Sequence, residues 1–190
     1  MRRVALALFV LAMSAISLPA ITIIDTMGDW DGGITNGWQL TAQTIIAPAD
    51  NVLTDYQFVL APRAGAGSIT FSVYAWSGGP TGPALYSTVI PWSTGGLVDI
   101  SGISVPLVTG NLYGMLIDLQ GYSGMSVHYQ SNQTSYSAAN AWWGNGTLES
   151  FPGLNHSFHA EFNGGQVPEP GTLSLLALGA GFMLLRRVRQ

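Results

Sequence analysis

Acidic and histidine side chains are the residues of this sequence best suited to acid–base or metal chemistry. Asp118 could pair with Glu149 or Glu161 as the acid and base of a glycosidase, which needs carboxyl groups about 5 to 10 Å apart. The alternative is that Asp118 ends a strand and both glutamates are solvated. The chain has no cysteine and lacks the G-x-S-x-G and H-E-x-x-H motifs, so the corresponding nucleophile and zinc enzymes have no support. We therefore predict no catalytic residues and a protein that is not an enzyme.

Three aspartates near residue 30 could bind a metal ion. Asp25, Asp29 and Asp31 precede the pair Gly32-Gly33, and oxygen ligands beside glycines in a loop suit calcium. The acid that completes an EF-hand loop is missing downstream. The sequence therefore allows a structural calcium site here, with a solvated acidic turn as the alternative, and indicates no other cofactor.

The histidines are a weaker metal candidate. In a strand over residues 155–162 whose aromatic residues point inward, His156 shares the inner face and His159 the outer one. The two imidazoles would then lie on opposite sides of the sheet, which argues against a shared zinc ion. His128 is expected to be an ordinary strand residue.

Aromatic side chains are the remaining functional signal, with 6 Trp, 7 Tyr and 7 Phe in the chain. An exposed ring stacks on the apolar face of a sugar, while nearby polar side chains bind the sugar hydroxyls. Trp142-Trp143 is the sharpest candidate, because adjacent strand residues point to opposite faces and one ring should be exposed. This pair is a predicted glycan-binding site, although most of the rings should fill the core.

The pattern of the chain predicts an all-β fold to position these residues. Runs rich in β-branched and aromatic residues recur between clusters of Gly, Pro, Asn and Ser, and no run in the body sustains helical periodicity. We expect a two-sheet antiparallel sandwich with jelly-roll-like connections. Its predicted strands are 38–46, 51–60, 68–76, 84–90, 97–108 with an interruption, 112–119, 125–130, 134–143 and 156–162.

Three of these strands have a predicted orientation. The odd positions from Ile69 to Ala75 should face the core, with Trp76 on the other side. The even positions from Val52 to Leu60 should line one side of their strand. Residues 112–119 are apolar on both faces, which is typical of a central strand.

The body is strongly acidic. Residues 21–166 contain nine acidic residues and a single base, Arg63, a net charge of about −8 against −4 for the whole chain. Such a surface has no basic stripe to neutralise phosphates, so nucleic acid is not an expected partner. Association with anionic lipid is disfavoured for the same reason.

The N-terminus indicates export. Met1-Arg2-Arg3 is a basic segment, residues 4–13 are apolar, and Ala15-Ile16-Ser17 offers the small residues that signal peptidase reads, with a cut after Ala20 as the alternative. We predict a helical signal peptide over residues 1–20 and a sandwich domain over 21–162. Residues 163–166 would form a linker.

The C-terminus indicates a membrane tether. Residues 172–185 carry no charge and could enter lipid as a helix. At 1.5 Å per residue this helix would reach about 21 Å, short of a hydrocarbon core of about 30 Å, which favours a transient tether. Arg186, Arg187 and Arg189 would hold the end of the chain on the cytoplasmic side.

The tail as a whole resembles a known sorting signal. Pro168-Glu169-Pro170, the apolar run and the terminal arginines are, in that order, similar to the PEP-CTERM signal of Gram-negative bacteria, which exosortase recognises in the inner membrane and processes near the triplet. The resemblance covers residues 167–190. It implies that Pro168, Glu169 and Pro170 are recognition residues and that Arg186, Arg187 and Arg189 are the stop and orientation signal. An ordinary tail anchor is the alternative.

The body also resembles exported bacterial β-sandwich domains, some of which precede PEP-CTERM tails, through residues 42–48, 71–76 and 82–86. This resemblance implies fold and location, but no activity. We therefore predict an exported, non-enzymatic protein that is tethered transiently to the inner membrane, with exosortase as a partner, and then delivered to the cell envelope or extracellular polysaccharide matrix. The alternative is a lectin-like module that binds this polysaccharide.

Overall fold

The described part of the chain is built almost entirely from β-strands. The computed structural model describes residues 21–164, apart from residues 36, 62–66, 93–94, 120–126 and 131–135. Besides one 3₁₀ turn at Met27–Asp29, its elements are β1 (Ile21–Asp25), β2 (Gly33–Ile34), β3 (Leu40–Ile46), β4 (Val52–Leu60), β5 (Gly67–Trp76), β6 (Pro80–Trp92), β7 (Gly96–Pro106), β8 (Leu112–Asp118), β9 (His128–Gln130), β10 (Ala141–Gly144), β11 (Glu149–Phe151), β12 (Asn155–His156) and β13 (Phe158–Asn163).

Two antiparallel sheets form the layers of a sandwich. The small sheet has the order β1-β13-β4-β7, and the large sheet has the order β11-β10-β3-β8-β5-β6. A third set, β12-β9-β2, pairs three short strands. The predicted all-β antiparallel sandwich is confirmed, and so is the central position of β8, which lies between β3 and β5. The predicted signal helix and C-terminal helix lie outside the described residues.

Aromatic residues from both sheets fill the space between the layers. Tyr56 of β4 stacks on Phe71 of β5 with ring centroids 5.1 Å apart, and Phe158 of β13 lies 5.8 Å from Tyr56. All three side chains are fully buried. Burial on this scale is the main source of stability for a chain without disulfides, because apolar surface contributes about 25 cal/mol per Å² removed from water.

Bulges shift the predicted alternation in two strands. Ile69, Phe71 and Val73 face the core as predicted, but the register of β5 shifts between Val73 and Ala75. In β4 the prediction is wrong at the N-terminal end, where Leu53 is fully buried while Val52 and Thr54 are only partly buried. A register shift between Leu53 and Asp55 explains this, since a bulge adds one residue and so reverses which side chains face the core on either side of it.

Several strand boundaries also differ from the sequence prediction. β6 begins at Pro80, four residues early, because Gly78 and Gly79 alone supply the positive φ of the turn. Of the strand predicted over 134–143, the described residues 136–140 are not in a strand and β10 is Ala141–Gly144. The last predicted strand is two strands separated at Ser157. β1, β2 and β11 were not predicted.

The first and last described strands are partners. Ile21 pairs with Asn163, so Asn163, assigned to the linker by the sequence, ends β13. Thr22 donates to Asp50 at 2.7 Å, and the Thr26 hydroxyl accepts from the Phe158 amide at 2.9 Å. All described strands belong to one compact unit, Ile21–Asn163.

Candidate functional site

Trp143 belongs to the interior of the sandwich. Its ring stacks on Phe151 with centroids 3.9 Å apart and lies nearly parallel to the His156 ring at 6.5 Å. Only 7% of the residue is exposed. The side chain is therefore buried against β11 and β12, so any stacking role of the predicted pair falls to its neighbour.

Trp142 points to the outer face of the large sheet, where it is half-buried. The edge of its ring meets Trp76, with centroids 5.4 Å apart and an interplanar angle of 67°. Trp76 lies over Gly114 on the same face, in the space that a side chain at Gly114 would occupy. Only 5% of Trp76 is exposed. Neither indole N–H has a protein hydrogen-bond partner. The outward ring of the predicted pair is thus partly covered by a second tryptophan.

The three aspartates of the predicted calcium site are not brought together. Asp25 accepts hydrogen bonds from the Met27 amide at 2.9 Å and lies 3.1 Å from His159, while Asp31 accepts from the Gly33 amide at 3.2 Å. Within the described ranges no group of three His, Cys, Asp or Glu side chains has metal-binding geometry. Asp25 and Asp31 each accept a hydrogen bond from a nearby backbone amide.

His156 is buried in a polar network between the layers. Its Nε2 lies 2.7 Å from the Thr41 hydroxyl, and its amide donates to the Gln43 side chain at 2.8 Å. Gln43 in turn donates to Asn155 at 3.0 Å. Burial lowers the pKa of His156 to about 3, so the ring is neutral at physiological pH. This histidine ties β12 to β3 and is closed to a substrate.

His159 lies on the outer face of the small sheet, as the sequence predicted. It lies 3.1 Å from Asp25 and 3.2 Å from Glu161. Burial alone would lower the pKa of His159, but the hydrogen bonds and charges of the two carboxylates outweigh it and raise the pKa. Burial would likewise raise the pKa of Asp25, which the Met27 amide and His159 together lower. The contact of His159 with Asp25 therefore fastens the edge strand β1 to β13, and protonation of the ring strengthens it.

The carboxyl pairs considered for glycosidase chemistry are separated. Asp118 ends β8 in the large sheet, whereas Glu161 faces outward from the small sheet, and sandwich layers are about 10 Å apart. Glu149 lies three strands from Asp118, a separation of roughly 14 Å. The separation of Asp118 and Glu149 exceeds the spacing of about 5 to 10 Å, while Asp118 and Glu161 lie in different sheets.

One carboxylate cluster was not indicated by the sequence. Asp55, Asp99 and Glu161 come from adjacent strands of the small sheet. Burial, followed by the charges of Asp99 and Glu161, raises the pKa of Asp55. Asp99 is exposed, whereas the Oδ1 atom of Asp55 is buried without a protein hydrogen-bond partner.

Trp30 is the functional candidate that the sequence did not single out. It is 46% exposed and stacks on His128, with centroids 4.1 Å apart and planes 9° from parallel. Its indole N–H donates to the Gly33 carbonyl at 2.8 Å. Asp29 and Asp31 flank it in the chain and are also exposed. The Trp30 ring is held by Gly33 of β2 and His128 of β9, and the sequence alone does not show that these two strands pair.

The residues of the predicted sorting signal, Pro168, Glu169, Pro170, Arg186, Arg187 and Arg189, lie outside the described part, as do residues 1–20 and 172–185. In the part that is described, no helix is both long and apolar enough to cross a membrane. Comparison with protein families decides the nature of the tail. Residues 166–189 are a PEP-CTERM protein-sorting motif. The PEP-CTERM motif implies sorting by an exosortase-type system and an exported protein.

Similarity to solved structures concerns the body alone. The chain is 15% identical to the clostridial cysteine protease Cwp84 after propeptide cleavage, over 75% of this chain and 39% of that one, with a TM-score of 0.50. A structure of the cysteine protease and lectin-like domains of Cwp84, a surface layer associated protein of Clostridium difficile, matches at 17% identity over 67% and 32% of the two chains, with a TM-score of 0.46.

A third structure, TmCBM61 in complex with β-1,4-galactotriose, matches at 12% identity over 62% of this chain and 88% of that one, with a TM-score of 0.31. This chain thus spans well under half of the Cwp84 chains. No curated protein matches the sequence. At these identities the likeness concerns the fold and not the activity.

Proposed function

We propose that this chain is an exported, non-enzymatic protein that an exosortase-type system processes at the inner membrane and delivers to the cell envelope or extracellular matrix. The PEP-CTERM motif over residues 166–189 is the observation that carries the proposal. The apolar run of 14 residues spans about 21 Å as a helix, which suits a tether that is later removed. Three arginines beyond it hold the tail on the cytoplasmic side until processing.

The placement of acid–base groups in the body supports a non-catalytic role. The carboxyls with glycosidase potential lie on separate strands, and the fully buried His156 is neutral and bonded within the core. The histidine with a raised pKa, His159, joins two strands of the small sheet. The roles of these groups are structural.

Replacing the motif triplet tests the sorting route. Pro168→Ala, Glu169→Ala and Pro170→Ala together should leave a longer, inner-membrane form that retains a C-terminal epitope, because the recognition residues are gone. Alanines at Gly164 and Gly165, just before the motif, are the matched control and should leave processing intact. Equal loss of the epitope in wild type and the triplet variant would refute the assignment.

A lectin-like body is the second candidate function. The exposed and immobilised ring of Trp30 favours it, because a sugar needs a flat apolar surface beside polar groups. Trp142 remains a predicted stacking residue, with less accessible surface than the sequence suggested. Binding of soluble polysaccharide by the full chain distinguishes this candidate from a purely structural matrix protein.

A further inference from the structure

Trp30 is held in one orientation while remaining open to solvent. The parallel stack on His128 covers one face of the indole, and the hydrogen bond to the Gly33 carbonyl fixes its rotation. With 46% of the residue still exposed, Trp30 remains accessible to a ligand from solvent. Burial lowers the pKa of His128, so the supporting imidazole is neutral and does not attract an anion. Such a ring binds a flat ligand with little further loss of side-chain entropy.

The residues beside Trp30 supply hydrogen-bond acceptors. Asp29 and Asp31 are both exposed, and a carboxylate has about four acceptor positions, so Asp31 can accept from a ligand while it accepts from the Gly33 amide. Gly28 and Gly32, two residues before and two residues after Trp30, have no side chains that could cover the ring. A planar apolar surface bordered by acceptors matches a pyranose, which has an apolar face and a rim of hydroxyl donors.

We propose that Trp30, with Asp29 and Asp31, is a binding site for neutral pyranose glycans. The site deepens the lectin-like candidate function and does not depend on the sorting route. The net charge of about −8 on the body disfavours a polyanionic polysaccharide. A cationic ligand would suit the carboxylates, but Trp30 and His128 lie parallel and present one flat face, whereas a cation cage surrounds its ligand with several rings.

Affinity electrophoresis of the full chain in a detergent without a sugar headgroup tests the site. The probes are a soluble β-glucan, a galactan, a mannan, polygalacturonate and polylysine. We expect retardation by at least one neutral polysaccharide, unchanged when salt rises from about 50 to about 200 mM, because the stacking contact is uncharged. Trp30→Ala should weaken this binding about tenfold or more, as for a central aromatic anchor.

Three further variants keep the test decisive. Trp30→Phe should retain part of the affinity, and Asp29→Asn should weaken binding without loss of the fold, because this side chain is exposed. Leu97→Ala removes another exposed apolar side chain, from β7, so it should bind like wild type. The proposal is overturned if no neutral polysaccharide binds, if Trp30→Ala binds as wild type, or if only polylysine binds and salt abolishes it. The proposal is also overturned if Trp142→Ala loses polysaccharide binding while Trp30→Ala binds like wild type, because the binding site would then lie on the large sheet.

Discussion

Trp143→Ala should destabilise the body more than Trp142→Ala, although the two residues are neighbours. A tryptophan side chain presents about 200 Å² of surface, and 93% of Trp143 is buried if 7% is exposed. At about 25 cal/mol per Å², the loss is about 4 to 5 kcal/mol, in line with the range of about 3 to 5 for large-to-small core substitutions. Trp142 is more exposed than Trp143 but still partly covered by Trp76, so the same calculation gives a smaller loss.

Urea titration followed by circular dichroism measures both variants. The linear extrapolation compares free energies of unfolding, and a loss of this size in a body of this length should lower the thermal midpoint by 10 °C or more, by the usual scaling of about 2 to 4 °C per kcal/mol. Trp143→Phe, which retains a ring to stack on Phe151, is the matched control and should recover much of the loss. A cost below about 1.5 kcal/mol for Trp143→Ala would refute the placement of this ring in the core.

Three further predictions follow from named contacts. Gly114→Ala should cost about 1 to 3 kcal/mol in urea titration, because the added methyl collides with Trp76, whereas Gly28→Ala meets nothing and should be close to neutral. The contribution of His159 to the free energy of unfolding should be fully present below its unfolded pKa of about 6.5 and be lost as pH rises through the raised folded pKa. His156, with a folded pKa of about 3, should instead destabilise the fold as pH falls from about 6.5 toward 3. Stability measured against pH for His159→Gln and His156→Gln separates the two effects. Millimolar calcium should leave the thermal midpoint unchanged, since the three aspartates do not converge, and a clear rise would show that they rearrange around an ion.

Period-two patterning was enough to predict the sandwich and the orientation of β5. Ile69, Phe71 and Val73 face the core because a strand with one buried face must alternate. The same rule failed at Leu53, since a bulge inserts a residue without a compositional signal. β1 was missed because its partner β13 lies at the far end of the chain, and five residues carry little pattern of their own.

The candidate site depended on contacts that sequence does not contain. The sequence correctly placed Trp142 and Trp143 on opposite faces, but not the approach of Trp76 across Gly114, which covers the outward ring. Asp25 interacts with His159, 134 residues away in the sequence, and does not converge with the other two aspartates. Trp30 becomes a fixed surface ring because β2 pairs with β9 and brings His128 beneath it.

The mass of the protein recovered from the cell surface tests the central claim most directly. Export and exosortase-type processing predict a mature chain that begins near Ile21, or a few residues earlier, and ends near the Pro168-Glu169-Pro170 triplet. Intact-mass spectrometry with sequencing of both ends should therefore detect the body without residues 172–190. A surface form that still carries Arg186, Arg187 and Arg189 would contradict the account and establish a permanent tail anchor.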